Sequence, residues 1–204
     1  MFVPALLRLA VIASCVPAVW ASEAPSVSSE KKDPYNHYLV SRSKDTHVFL
    51  DRGFVFSGSE SAQQPKPTVA APVYVLSTTP EGMIANRVIV MAQCSIPYGV
   101  ALSAQDVLGQ NGKAVRIEES STKYDAAPVW RVAKSSHFGK VWTVLCENAW
   151  SDKQRWGELS PGQLIERVTR RTGDQRVLEI VNPTISHDMT HQNTIGMSSI
   201  LPER

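Results

Sequence analysis

The side chains in this sequence that could act on a ligand fall into three small groups. The first is His187-Asp188-Met189-Thr190-His191, with two imidazoles four residues apart. On a helix that spacing sets both rings on one face, as a metal site requires. Met189 and Met197 add soft ligands of a kind copper accepts. No Glu stands beside His187 to act as a metalloprotease base, and the segment follows Pro183 with little apolar content to hold ligands rigid. These are weak metal candidates, and the expected cofactor is none. The second group is Arg167, Arg170 and Arg171. Arg167 and Arg171 share a helical face and could contact an anionic polymer or another partner. The plainer alternative is a solvated row of cations near a helix C-terminus, where the dipole favours them.

The third group is the cysteines: Cys15, Cys94 and Cys146. No Cys-x-x-Cys spacing occurs, which argues against a thioredoxin-like couple. If Cys15 leaves with an export signal, Cys94 and Cys146 most simply form one structural disulfide; two buried thiols or a redox pair are the alternatives. Acyl-transfer chemistry has little support. There is no Gly-x-Ser-x-Gly elbow. Ser135-Ser136-His137 joins hydroxyls to an imidazole, but neighbours at a helix start do not face each other. They read as a helix cap with an exposed His. Glu118 and Glu119 would alternate faces on a strand, so they make no acid–base pair. The chain is therefore not expected to be an enzyme.

The elements around these residues belong to an exported globular protein. The 204 residues are 43% hydrophobic and 20% charged, enough apolar content for a real core. The net charge of +2 lacks the basic stripe of a nucleic-acid binder, so no nucleic-acid partner is expected. Residues 1–21 read as a signal peptide: one charge, Arg8, an apolar run to Trp20, and Val19 and Ala21 at the positions a signal peptidase reads. A bilayer anchor needs about 20 apolar residues, and this run is shorter and broken by Pro17. A rival reading takes Ile12-Ala13-Ser14-Cys15 as a lipobox, with a lipid anchor on Cys15. Either way the destination is the bacterial periplasm or the outer-membrane surface. Residues 22–36 form a polar, flexible leader.

Strand patterns then dominate. They cover Tyr38–Val40, Thr46–Asp51 with Val48 and Leu50 on one side, Phe54–Phe56, and Val69–Leu76, where Pro72 points to an edge or a late start. Asn86–Cys94 is the strongest, and its apolar run predicts a central strand buried on both faces. Val100–Val107 and Lys113–Glu118 flank Asn111-Gly112, a hairpin signal. Val129–Val132 is extended. The period then changes to helical, with Ser136 as cap and Phe138, Val141, Trp142, Leu145 and Ala149 on one stripe. Gly139 and the β-branched residues leave a strand open as the alternative there. Ser160-Pro161 opens a second helix carrying Leu164, Ile165 and Val168, and Gly173 ends it. Trp150 and Trp156 are expected to seal this helix onto the sheet. Arg176–Val181 reads as one more strand, and from Pro183 the tail is polar and mobile. The domains are thus the 1–21 signal, the 22–36 leader, an α+β domain over 37–150, and a 151–204 extension with one helix.

The order of these features resembles the surface-adhesin protein E-like family of exported bacterial proteins. The opening is a strand, an acidic turn and a strand ending in Asp, here Leu39 to Asp51. A strand ending in cysteine follows (Val88 to Cys94), then a Gly-bearing hairpin (Gly112) and a Trp segment (Trp130). Last comes a serine-initiated helix ending in the second cysteine, Ser136 to Cys146. The resemblance covers residues 37–147 and rests on order and spacing. It implies an α+β fold: a small antiparallel β-sheet packed against one helix and stapled by a disulfide, here with a C-terminal helical extension. It also implies a non-enzymatic, adhesin-like role, with host matrix proteins such as laminin and vitronectin as partners, and a homodimer. The departures are the long segment after Cys146 and the Pro-rich loop at 65–72. The expected contact regions are the loop at 57–72 and the Arg167–Arg171 face. The competing expectation is a periplasmic accessory subunit of a secretion or transport assembly, docked through the extension.

Overall fold

Every side chain of Thr46–Asp51 is buried, so this strand must meet packing on both of its faces. The computed structural model, which describes residues 35–58, 68–119, 128–173, 176–183 and 185, shows how. The signal segment with Cys15, the leader up to residue 34, and residues 59–67 of the expected contact loop lie outside the described residues. Among those described, ten strands join in one sheet. They are β1 (His37–Arg42), β2 (Thr46–Asp51), β3 (Phe56–Ser57), β4 (Thr68–Thr79), β5 (Gly82–Gln93), β6 (Gly99–Leu108), β7 (Ala114–Glu119), β8 (Trp130–Arg131), β9 (Arg155–Gly157) and β10 (Val177–Leu178). The order along the sheet is β7-β6-β5-β4-β2-β1-β9, antiparallel throughout, with β3 beside β4 and β8 beside β6. Only β10 runs parallel to its neighbour: Val177 and Leu178 pair with Met83 and Ile84 of β5.

Alternation along the central strands feeds two cores. Val48, Leu50, Val73, Val75, Val88 and Val90 face α1 (His137–Cys146), which answers with Phe138, Val141, Trp142 and Leu145. Phe49, Tyr74, Leu76, Met83 and Ala85 face α2 (Pro161–Thr172), which answers with Leu164, Ile165 and Val168. The α+β class and the antiparallel sheet agree with the sequence reading. The helix of the C-terminal extension covers the opposite face of the sheet from α1, because β2, β4 and the first half of β5 present apolar side chains on both sides.

Four local expectations are corrected. Phe54 ends a 3-10 turn (Arg52–Phe54) instead of starting a strand, because Asp51 turns the chain by accepting the Gly53 N–H at 3.0 Å. β4 is an interior strand despite Pro72. Its partners on one side change from β2, ending at Val73, to β3, starting at Ala70, so Pro72 lies in the gap between them where no N–H is asked of it. Ala149 lies beyond the end of α1 and is exposed. Ile185, in the tail expected to be mobile, is buried in the α1-side core, and just ahead of that tail Asn182 donates to Ser77 Oγ at 3.0 Å and through its N–H to the Asn86 side chain.

The two helices are fixed by different devices. Ser136 caps α1 by accepting the Gly139 N–H at 3.0 Å. Cys94 and Cys146 are bonded, with Cα atoms 5.2 Å apart, and the Trp142 indole donates to the Gln93 carbonyl at 3.2 Å, so the end of β5 holds the end of α1. On the other face Ser160 and Gln163 form a reciprocal capping box, Pro161 sits in the first turn, and Gly173 closes α2 with a left-handed φ of 82°. The β6–β7 turn packs directly on the start of α2. A Cβ on Gly162 would meet the Asn111 carbonyl oxygen at 2.5 Å, so backbone touches backbone there.

The disulfide closes a separation of 52 residues. Chain-entropy arguments give such a loop about 4 kcal/mol. A Cys94→Ser/Cys146→Ser variant should lose stability of that order in urea unfolding, and reductant should bring the wild type to the same midpoint. Equal midpoints for oxidised and reduced protein would show that packing alone holds α1.

Candidate functional site

The buried stripe Leu164-Ile165-Val168 sets the rotation of α2, and with it the outward direction of Gln163, Glu166, Arg167 and Arg170. β9 supplies the other wall. Its pairing with β1 brings Trp156 beside Phe49, edge to face at 4.8 Å between ring centroids. Two guanidinium groups from successive turns of α2 then settle over the Trp156 ring, Arg171 at 4.4 Å and Arg167 at 5.3 Å from its centroid. Arg167 Nη1 also donates to the Trp156 carbonyl at 3.0 Å. Arg170 is directed differently, into a pair with Glu166 at 2.6 Å one turn back. Leu159, Gln163, Glu166 and the three arginines line an open groove of about 440 Å³.

Among the groove-lining residues three arginines face one carboxylate, Glu166. No carboxylate among the described residues pairs with Arg167 or Arg171. Arg42, at the end of β1, and Arg171 both act on His47, which is buried under the same corner. Burial first, and then these two cations, hold His47 below its ordinary pKa, so its ring is neutral. The corner can therefore bind an anion through preset guanidinium donors. Among the described residues it offers no metal-ligand set.

The sequence-predicted residues fare unequally. Arg167 and Arg171 do share a face, and the structure adds the ring that orients them. Arg170 lines the same groove but is paired. Trp156 seals α2 to the sheet, as expected. Trp150 does not; it packs edge to face on Tyr38 at 5.0 Å in the other core, with Arg52 over its ring at 5.2 Å. His187, Met189 and His191 lie outside the described residues. Among the described residues no group of three His, Cys, Asp or Glu side chains could hold a metal ion. Ser136 is the cap it was read to be. His137 is not simply exposed: its Nδ1 lies 2.8 Å from Ser41 Oγ, and Lys140 donates to the same oxygen at 3.3 Å, tying α1 to a bulge in β1. Sequence reasoning missed this contact because its partners are 96 residues apart.

A second missed cluster lies at the other end of β1. His37 and Asp51 are register partners and both fully buried. Asp51 Oδ1 accepts from the N–H groups of Asn36 at 2.9 Å and Gly53 at 3.0 Å. Asp51 Oδ2 and both ring nitrogens of His37 meet no hydrogen-bond partner among the described residues. The ring lies against Tyr35 and edge-on to Tyr74. Burial pushes the His37 pKa below 6.5, outweighing the pull of Asp51 and of the Leu159 carbonyl toward the charged form. Burial likewise pushes the Tyr74 phenol well above its usual value.

Comparison with family models, with curated proteins and with solved structures finds no match to this chain.

His37 and His47 make a pH prediction. Both have folded pKa values below the unfolded value of about 6.5, so below that pH the unfolded chain takes up protons that the folded chain refuses. Their contribution to stability is complete above pH 6.5 and is lost as pH falls from there through the folded values. Thermal melts from pH 8 to pH 5 should show Tm falling once below 6.5, and a His37→Gln/His47→Gln variant should flatten that part of the curve. An unchanged slope in the variant would remove these two residues as the cause.

Proposed function

We propose that this chain is a non-enzymatic exported protein of the bacterial envelope, adhesin-like, that recognises host matrix or other extracellular macromolecules through the α2 surface. The observation that carries the reading is the pair of guanidinium groups, Arg167 and Arg171, held over Trp156 beside an open groove. Surface arginines ordinarily lose conformational freedom on binding; here the ring and the Trp156 carbonyl have already ordered them. Arginine and tryptophan are also the side chains that most often dominate binding surfaces. The Cys94–Cys146 bridge suits an oxidising compartment outside the cytoplasm. The order of elements from β1 to α1 is that on which the resemblance to the surface-adhesin protein E-like family rests.

Two measurements test this. Protease shaving of intact cells, with a periplasmic marker as control, should release peptides from residues 37–147 while the marker stays protected. Release only after outer-membrane permeabilisation would move the protein to the periplasm and favour an accessory role in an envelope secretion or transport assembly. Purified protein should bind immobilised laminin or vitronectin, and Arg167→Ala/Arg171→Ala should weaken that binding roughly tenfold or more, the effect of losing a dominant contact. Binding unaffected by the double variant would dismiss the α2 surface. Point variants are required here, because deleting residues 151–204 would strip α2 from Phe49, Tyr74 and Leu76 and uncover the core on that face.

A further inference from the structure

The lining of the α2 groove discriminates among anions. Arg167 and Arg171 spend their flat faces on Trp156, and Arg167 spends one N–H on the Trp156 carbonyl. The remaining guanidinium N–H groups are the donors left for a ligand, in the fork geometry that matches a carboxylate, sulfate or phosphate oxygen pair. Because the ring carries the two cations, it is not free to stack on a sugar. Glu166 stands in the same lining, with its carboxylate 2.6 Å from Arg170. A polymer with an anion on every unit would bring like charge past this carboxylate, and like charges repel. A polypeptide would not: it brings isolated carboxylates between backbone N–H groups that Glu166 can accept. Gln163 adds to the match. Its Oε1 is already engaged by the Ser160 N–H at 2.8 Å, which leaves the amide NH₂ to donate to a carbonyl. Leu159 provides an apolar floor. A volume of about 440 Å³ has room for a few residues of an extended chain.

We propose that the groove receives an extended acidic peptide segment, with one carboxylate against the guanidinium edges of Arg167 and Arg171, and discriminates against uniformly anionic polymers. This rests on the reading of the α2 surface as the recognition surface and adds the chemical class of what enters it. The charge is required at one place only, so affinity depends on a single Asp or Glu and on the fork shape of its receptor.

The test uses the full, disulfide-bonded chain, ¹⁵N-labelled, at about 150 mM salt so that exposed charges are screened beyond about 8 Å. The reporters are the Trp156 indole N–H and the Arg167 and Arg171 Nε–H signals. The probes are a blocked heptapeptide with one central Asp, the same peptide with Asn, and a heparin-type oligosaccharide. The Asp peptide should shift all three reporters, and the Asn peptide should bind at least tenfold more weakly. Arg171→Lys, which keeps the charge and loses the fork, should weaken the Asp peptide about tenfold while the melting temperature and the disulfide stay unchanged. Glu166→Gln should increase heparin binding. Equal binding of the Asp and Asn peptides, an unshifted Trp156 indole, or heparin binding tighter than the Asp peptide at these reporters would each overturn the proposal. If laminin or vitronectin binding depends on Arg167 and Arg171 while the Asp peptide leaves the reporters unmoved, recognition at this surface stands and the peptide specificity falls. If the Asp peptide binds and matrix proteins do not, the peptide site stands and the adhesin reading falls.

Discussion

The unbroken antiparallel pairing of β4 with β5, from Thr68 opposite Gln93 to Thr79 opposite Gly82, is the constraint on which the other elements depend. Side chains alternate with a period of two, so this one register assigns every residue of both strands to a face. Val73, Val75, Val88 and Val90 go to α1, while Tyr74, Leu76, Met83 and Ala85 go to α2. A slip of one residue would exchange the two sets and leave each helix stripe against the wrong partners. β2 inherits the same division through its pairing with β4, which sends Phe49 toward Trp156 and Leu50 toward the opposite core.

Burial on both faces is also what recruits the C-terminal third of the chain into the fold. The α1 face is closed early in sequence and bonded covalently to β5. The α2 face has no cover until residues 161–172 return to it, after which the chain joins β5 as β10 and reaches the first face, where Asn182 and Ile185 are buried. The candidate site forms at this second closure. Trp156 is there because β9 pairs with β1, and the arginines are there because Leu164, Ile165 and Val168 must point inward. The candidate site and the packing stripe thus share one helix, on opposite faces.

The buried polar groups divide in a similar way. Asn86, Asn182, Ser77 and Thr46 bond to one another and to the backbone across the sheet, which gives buried donors and acceptors their partners. His37 and Asp51 are less well served. Burial holds the imidazole neutral against the pull of Asp51 and of the Leu159 carbonyl toward the charged form, and Tyr35 and Tyr74 pack around the ring. That arrangement underlies the acid sensitivity expected of the fold.

What the sequence determined by itself was local or arithmetic. Ser160, Pro161 and Gly173 mark both ends of α2; Ser136 marks the start of α1; Asn111-Gly112 marks the β6–β7 turn; and two cysteines in a chain read as exported make one bridge. Each of these depends on residues a few positions apart or on a count. Arg167 and Arg171 were legible as a pair for the same reason, since four residues along a helix are always neighbours. Only the tertiary structure decided that Trp156 lies beneath them, that Arg42 and His47 share their corner, that Ser41 meets His137, that His37 lies opposite Asp51, and that Pro72 can sit inside the sheet. The physical reason is that each of these contacts is created by strand register and helix rotation, which follow from the whole pattern of buried faces, and no local spacing carries that information.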